Sequence, residues 1–132
     1  MRARNIGLMA AAVAMAVAAG GTVSFAADAK KAEIPAAAVA EGEQVWTTRC
    51  SLCHGAGGKG DGPASAPLNP KPRDLTDKKW QVSVDDAHIE TVILKGGTAV
   101  NLSPMMAANP DLDGKPDVVR ALRAKVRSLG AK

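Results

Sequence analysis

The sequence predicts an all-α fold: three or more helices joined by long loops and held around something that is not protein. Three observations carry this. Apolar residues recur at helical spacing in three separate stretches. No stretch alternates apolar and polar residues as a half-buried strand does, and there is no internal repeat. The stretch Gly55 to Lys71 is so dense in glycine and proline that no regular element survives in it.

Taken in order, the chain opens with Met1-Arg2-Ala3-Arg4 and an uncharged run from Asn5 to Ala27. Small residues close that run at Ser24-Phe25-Ala26, and Ala27-Asp28-Ala29 offers a second exit. A positive start, an apolar middle and a small-residue exit make residues 1–26 a secretory signal peptide, which implies a periplasmic protein. The alternative is an uncleaved membrane anchor, since the run approaches spanning length. Its alanines and Gly20-Gly21 keep its apolarity modest. Residues 27–35 read as a polar linker, and residues 36–132 as one domain.

Ala36 to Cys50 is rich in helix formers, with Pro35 suited to the first turn. Stepping about 100° per residue puts Val39, Gly42, Trp46 and Cys50 on one face. Gly in mid-helix costs about 1 kcal/mol relative to Ala, so Gly42 predicts close approach by another helix. Pro72 to Lys79 reads as irregular chain. Ser83-Val84-Asp85-Asp86 resembles a capping box with Ser83 as N-cap. The helix it opens has Ile89, Val92 and Ile93 on its apolar face and stops at Gly96-Gly97. Thr98 to Gly114 is a second loop. The last helix starts at Pro116 and stops at Gly130, with Val118, Val119, Leu122, Val126 and Leu129 as its buried stripe. Arg120, Arg123 and Arg127 fall on its wet side.

Composition excludes one class and points to another. Formal charge is +4, and half of it resides on Arg2 and Arg4 of the leader. With no long basic block and almost no aromatic side chains, no nucleic-acid partner is expected. The chain has no Tyr, one Phe, which is Phe25 in the leader, and two Trp, Trp46 and Trp80. Large aromatics dominate core burial in small domains. Without them the core is small, and a bulky apolar cofactor is expected to fill it.

Cys50-Ser51-Leu52-Cys53-His54 supplies the means. The pentapeptide C-x-x-C-H is a signature of covalent c-type haem attachment. Its spacing puts both sulfurs on one side of a turn, to form thioethers with the two vinyl groups, and leaves His54 to ligate iron beneath the ring. A thioredoxin-like redox pair would need a strand before the motif. A zinc site would need four ligands, and Cys53 and His54 are awkward neighbours on one tetrahedral ion. One haem c, bound through Cys50 and Cys53, is the expectation. Opposite His54, Met105 and Met106 are the candidates for the second axial position, and only one of two adjacent side chains can take it. A Met there suits electron transfer, whereas an open position suits ligand or oxygen chemistry. His88, about a quarter turn from the apolar face of its helix, reads as a boundary or surface residue.

Several segments extend the pattern: Cys50 to Gly55, Gly60-Asp61-Gly62-Pro63, Pro72-Arg73-Asp74-Leu75-Thr76, Lys95-Gly96-Gly97, Ser103-Pro104-Met105-Met106 and the terminal Val126-Arg127-Ser128-Leu129. From about Gly42 to Leu129 the chain resembles class I cytochrome c of the small bacterial kind. The resemblance implies the cytochrome c fold, helices and long loops wrapped around one haem. It implies Met106 as the iron ligand, although the Pro-Ala pair that follows this Met in many relatives is Ala107-Ala108 here. It also implies that Gly42 and Trp46 lie where the first helix crosses the last, and that the Pro63 carbonyl accepts from the free ring N–H of His54. Trp80 is either ordinary core or a neighbour of the haem propionates.

The function expected is that of a monomeric, periplasmic, monohaem electron carrier, not an enzyme, exchanging single electrons with redox partner proteins. It contacts a membrane only if residues 1–26 stay attached. Lys59, Lys71, Arg73, Lys78 and Lys79 are candidates for a positive rim that steers an acidic partner. A haem subunit of a larger oxidoreductase would carry the same local chemistry. A haem-based sensor or peroxidase would need a labile sixth position.

Overall fold

The computed structural model describes residues 33–131. The leader expected over residues 1–26 and residues 27–32 of the linker lie outside the described residues. Those described are all-α, with five α-helices, shorter helical turns and no strand among them.

The first helical run is longer than expected and is not uniform. Helix α1 covers Ala36–Val45, a π turn follows over Trp46–Cys50, and α2 covers Ser51–His54. Pro35 sits just before the first turn rather than inside it, and its carbonyl accepts from the Val39 N–H at 3.0 Å. The buried stripe is Ala38, Gly42 and Val45, joined by Trp46. Val39 is 43% exposed. The π turn explains the difference, because it carries an extra residue per hydrogen-bonded ring. A face drawn back from Cys50 in uniform α-helical steps lands on Val39, whereas the stripe ahead of the π turn is centred a residue earlier.

Helix α3, Lys78–Ser83, corrects two expectations. The segment to Lys79 is not irregular throughout, and Ser83 ends a helix instead of starting one. Asp77 is the N-cap of α3, accepting from Lys79 N–H at 2.9 Å, and Ser83 Oγ donates to the Trp80 carbonyl at 2.8 Å. Helix α4, Asp86–Lys95, is capped by Asp85, which accepts from His88 N–H at 2.7 Å. Asp caps as well as Ser does, so local pattern alone could not choose between them. Packing chose: α3 sets Trp80 against the core, and Gln81 Nε2 donates to the carbonyls of Leu75 at 2.7 Å and Val126 at 2.8 Å. Helix α4 buries Ile89 and Ile93 and stops at Gly96, φ +75°.

Helix α5, Pro116–Gly130, buries the five expected residues and Ala121. It crosses α1 at Gly42, where an added Cβ would lie 3.0 Å from Ala121 Cβ. This close approach is what offsets the cost of a mid-helix glycine. The arginines opposite the stripe are not simply solvated. Arg123 reaches Asp86 and Glu90, each at 3.1 Å, with only 20% of its side chain exposed. Arg127 reaches Asp86 at 2.9 Å and donates to the Val84 carbonyl at 2.8 Å. These bonds tie α5 to the start of α4.

Replacing Gly42 with Val should force the crossing apart and cost about 1–3 kcal/mol, the usual range for overpacking. Gly42→Ala should cost less, because the gain of about 1 kcal/mol in helix propensity works against the crowding. Thermal unfolding of the haem-loaded variants checks the order, and a Val variant as stable as the parent would show that the crossing is not tight.

Candidate functional site

The helical run from Ala36 to His54 delivers Cys50 from the π turn and Cys53 and His54 from α2 to one wall of a cavity of about 790 Å³. All three side chains are half-buried, and the cysteines are unpaired. The glycine-rich loop after the motif then folds back on α2. Gly60 N–H donates to the His54 carbonyl at 2.8 Å, Gly62 N–H to Cys53 at 3.1 Å and Ala64 N–H to Leu52 at 2.8 Å. The loop thus satisfies carbonyls that a helix end leaves without partners. Gly60 has φ +77°, and a Cβ there would lie 2.3 Å from the Pro72 carbonyl oxygen, so only glycine fits.

That contact brings the segment after Pro72 alongside. Leu75 is buried, and its N–H donates to Gly58 at 2.7 Å. Asp74 Oδ1 accepts from the Thr76 hydroxyl at 2.6 Å and the Thr76 N–H at 2.8 Å, which holds its carboxyl below the usual range. Between these fixed points the Arg73 carbonyl faces His54 Nδ1 at 3.0 Å. Donation of Nδ1–H to that carbonyl fixes the tautomer and leaves the Nε2 lone pair free. Burial pushes the imidazole below its ordinary 6.5, outweighing the carbonyl, which raises it. His54 is therefore a neutral imidazole with one nitrogen available.

The carbonyl expected in this role was that of Pro63. The structure gives the bond to Arg73, and Pro63 is exposed and absent from the cavity wall. The reason is local: the backbone on either side of Pro63 is committed to capping α2, through Gly62 and Ala64. Burial also pushes the Cys50 thiol up, against the opposing pull of Arg49, so it is not a reactive low-pKa thiolate.

The other walls are mostly apolar. Leu68, Pro70 and Leu75 come from the first loop, and Trp80 from α3. Helix α4 adds Ile89, Val92 and Ile93, and α5 adds Leu122 and Val126. The second loop adds Met105 and Met106. Met106 is half-buried, and its carbonyl accepts from Gly97 N–H at 2.9 Å. Met105 is 60% exposed. His88 also lines the cavity while partly exposed, so the boundary reading describes it better than the surface one. Trp80 both packs on the core and lines the cavity. Of the five basic residues proposed for a rim, Lys71 and Arg73 line the cavity and Lys59, Lys78 and Lys79 do not. Lys71 Nζ is occupied, donating to the carbonyls of Ser65 at 3.0 Å and Ala66 at 2.6 Å.

The sequence reading missed Arg49, Asn109 and Asp111. Arg49 bonds both of the others and so joins the haem-motif turn to the second loop. Nothing in a local pattern signals a contact between residues so far apart in the chain.

These residues suit a haem. The cavity falls within the range of about 300–1,000 Å³ usual for cofactor sites. Two thiols and a neutral imidazole share one wall, and thioethers share the cavity. The permanently charged lining is Arg49, Lys71 and Arg73 against the single carboxylate Asp74, which favours a ligand bearing propionates. Among the described residues no group of three or more His, Cys, Asp or Glu could hold a bare metal ion, so the zinc reading lacks its ligands.

Residues 39–122 match the family model of cytochrome c. The chain is also 36% identical over 91 residues to the cbb3-type cytochrome c oxidase subunit FixP of Bradyrhizobium diazoefficiens. That alignment covers 69% of this chain and 27% of FixP, so the chain spans about a quarter of that relative's length. With the family matched across most of the described domain, and the attachment motif lining a cofactor-sized apolar cavity, this chain belongs to the cytochrome c family and is a haem c protein.

Proposed function

We propose that the protein is a periplasmic, monohaem electron carrier with His54 and Met106 as axial ligands and Cys50 and Cys53 as the attachment points. The observation that supports this most is the bond from His54 Nδ1 to the Arg73 carbonyl at 3.0 Å, which leaves Nε2 free in a cavity shared with Met106. When bound, haem supplies a one-electron couple between ferric and ferrous iron. The chain's own residues do the rest. Arg73 orients His54 and raises its basicity as a ligand. The walls from Leu68, Leu75, Ile89 and Ile93 exclude water, which with a thioether ligand favours a high potential. Met106 is favoured over Met105 because it is half-buried and its backbone is bonded on both sides, to Ser103 at 3.2 Å and Gly97 at 2.9 Å. The leader-like residues 1–26 support export, and Lys71 and Arg73, the two of the five basic residues that line the cavity, support an acidic redox partner.

A second reading is favoured by the likeness to FixP: the chain works as a haem subunit of an oxidase assembly. Stable co-purification with a large subunit would favour the assembly, and recovery as a free monomer would favour the carrier.

Met106→Ala should abolish the weak near-infrared charge-transfer band of Met-ligated ferric haem. It should also lower the potential by on the order of 0.1 V, within the range of about 0.8 V that axial ligands span. Met105→Ala should keep the band. The opposite pattern would move the ligand to Met105, and retention in both variants would show that either Met can take the position.

A further inference from the structure

We infer that Arg49 is a positioning residue: its fork onto Asp111 and Asn109 holds the Met106 loop against the haem-attachment turn and so keeps the sixth position filled. This rests on the reading of Met106 as the axial ligand.

Arg49 directly precedes Cys50 in the π turn and lines the same cavity. Its two terminal nitrogens bond the two oxygens of Asp111, each at 2.9 Å, and Nη1 also donates to Asn109 Oδ1 at 3.1 Å. Both partners are anchored to the body of the domain. Asn109 N–H donates to the Leu94 carbonyl at 3.0 Å, and its Nδ2 donates to Ile93 at 2.8 Å. Asp111 lies in the short helical turn Pro110–Leu112, fixed by Leu112, which is 1% exposed. Met106 lies three residues before Asn109, between that anchor and the Gly97 bond to its own carbonyl. Among the described residues no other hydrogen bond joins the stretch 46–54 to the stretch 97–112.

The two axial residues therefore sit on separate segments, and Arg49 is the polar link between them. Ligation by Met106 is an intramolecular equilibrium. Its constant depends on how much freedom the loop loses when the thioether binds, and a loop held beforehand loses less. The link is partly exposed, with side-chain exposures of 47% and 50%. Exposed ion pairs shift equilibria by up to about fivefold, and bidentate geometry favours the upper part of that range. The link should also weaken as salt rises.

The test is imidazole titration of the ferric holoprotein, following loss of the Met charge-transfer band. Imidazole competes directly with Met106, so its apparent affinity rises by the factor by which ligation weakens. Asp111→Asn removes the fork without touching the residues next to the haem motif, and Arg49→Gln removes it from the other side. Each should raise imidazole affinity by about two- to fivefold at low salt. The double variant should go no further than the stronger single one, because both break one interaction. Arg49→Lys, which keeps the charge and loses the fork, should fall between, and the differences should shrink at high salt. Variants that melt earlier but bind imidazole as the parent does would overturn the inference and leave Met106 ligation standing. A parent protein without the band would instead remove the Met106 reading beneath it.

Discussion

The domain has few large side chains with which to close its interior. Trp46 and Trp80 are its only aromatic residues outside the leader-like segment. The helices meet tightly on one side, where α1 crosses α5 at Gly42 and Ala121. On the other side, Leu75, Ile89, Ile93, Leu122 and Val126 belong to the buried core and at the same time line a cavity of about 790 Å³. A haem seated there would add its contacts to those of the leucine, isoleucine and valine side chains that line the cavity. The covalently held haem is thus core and cofactor at once.

The structure concentrates its precision around His54. Three segments are chained to fix one imidazole: α2 carries it, the glycine loop caps α2, and the stretch after Pro72 packs on that loop and presents the Arg73 carbonyl. Helix α3 and Gln81 then pin Leu75 to α5. Such outer partners fix the tautomer and tune the basicity of a metal ligand, so the long-range packing of the domain bears directly on its redox chemistry.

How legible this was in the sequence follows from the range of each interaction. The stripe of α5 could be read from periodicity because one face of one helix determines it. The tight approach at Gly42 could be read because a glycine in mid-helix has a cost that something must offset. The pentapeptide from Cys50 to His54 carries its chemistry in five consecutive residues. The misses are of another kind. The π turn shifts a face by changing residues per turn, which uniform stepping cannot register. The start of α4 turned on a choice between Ser83 and Asp85 that only the packing of α3 resolves. The partner of His54 is a backbone carbonyl, and every residue has one, so nothing marked Arg73 over Pro63. The link from Arg49 to Asp111 joins distant parts of the chain through side chains that look like ordinary surface charges until folded together.

The most direct test of haem as part of the core is the thermal unfolding of the chain without it. A Cys50→Ala/Cys53→Ala variant, produced haem-free and followed by far-ultraviolet circular dichroism, should show reduced helicity and a broad change without a cooperative transition. A sharp transition with the helix content of the haem-loaded protein would contradict the dependence of the fold on its cofactor.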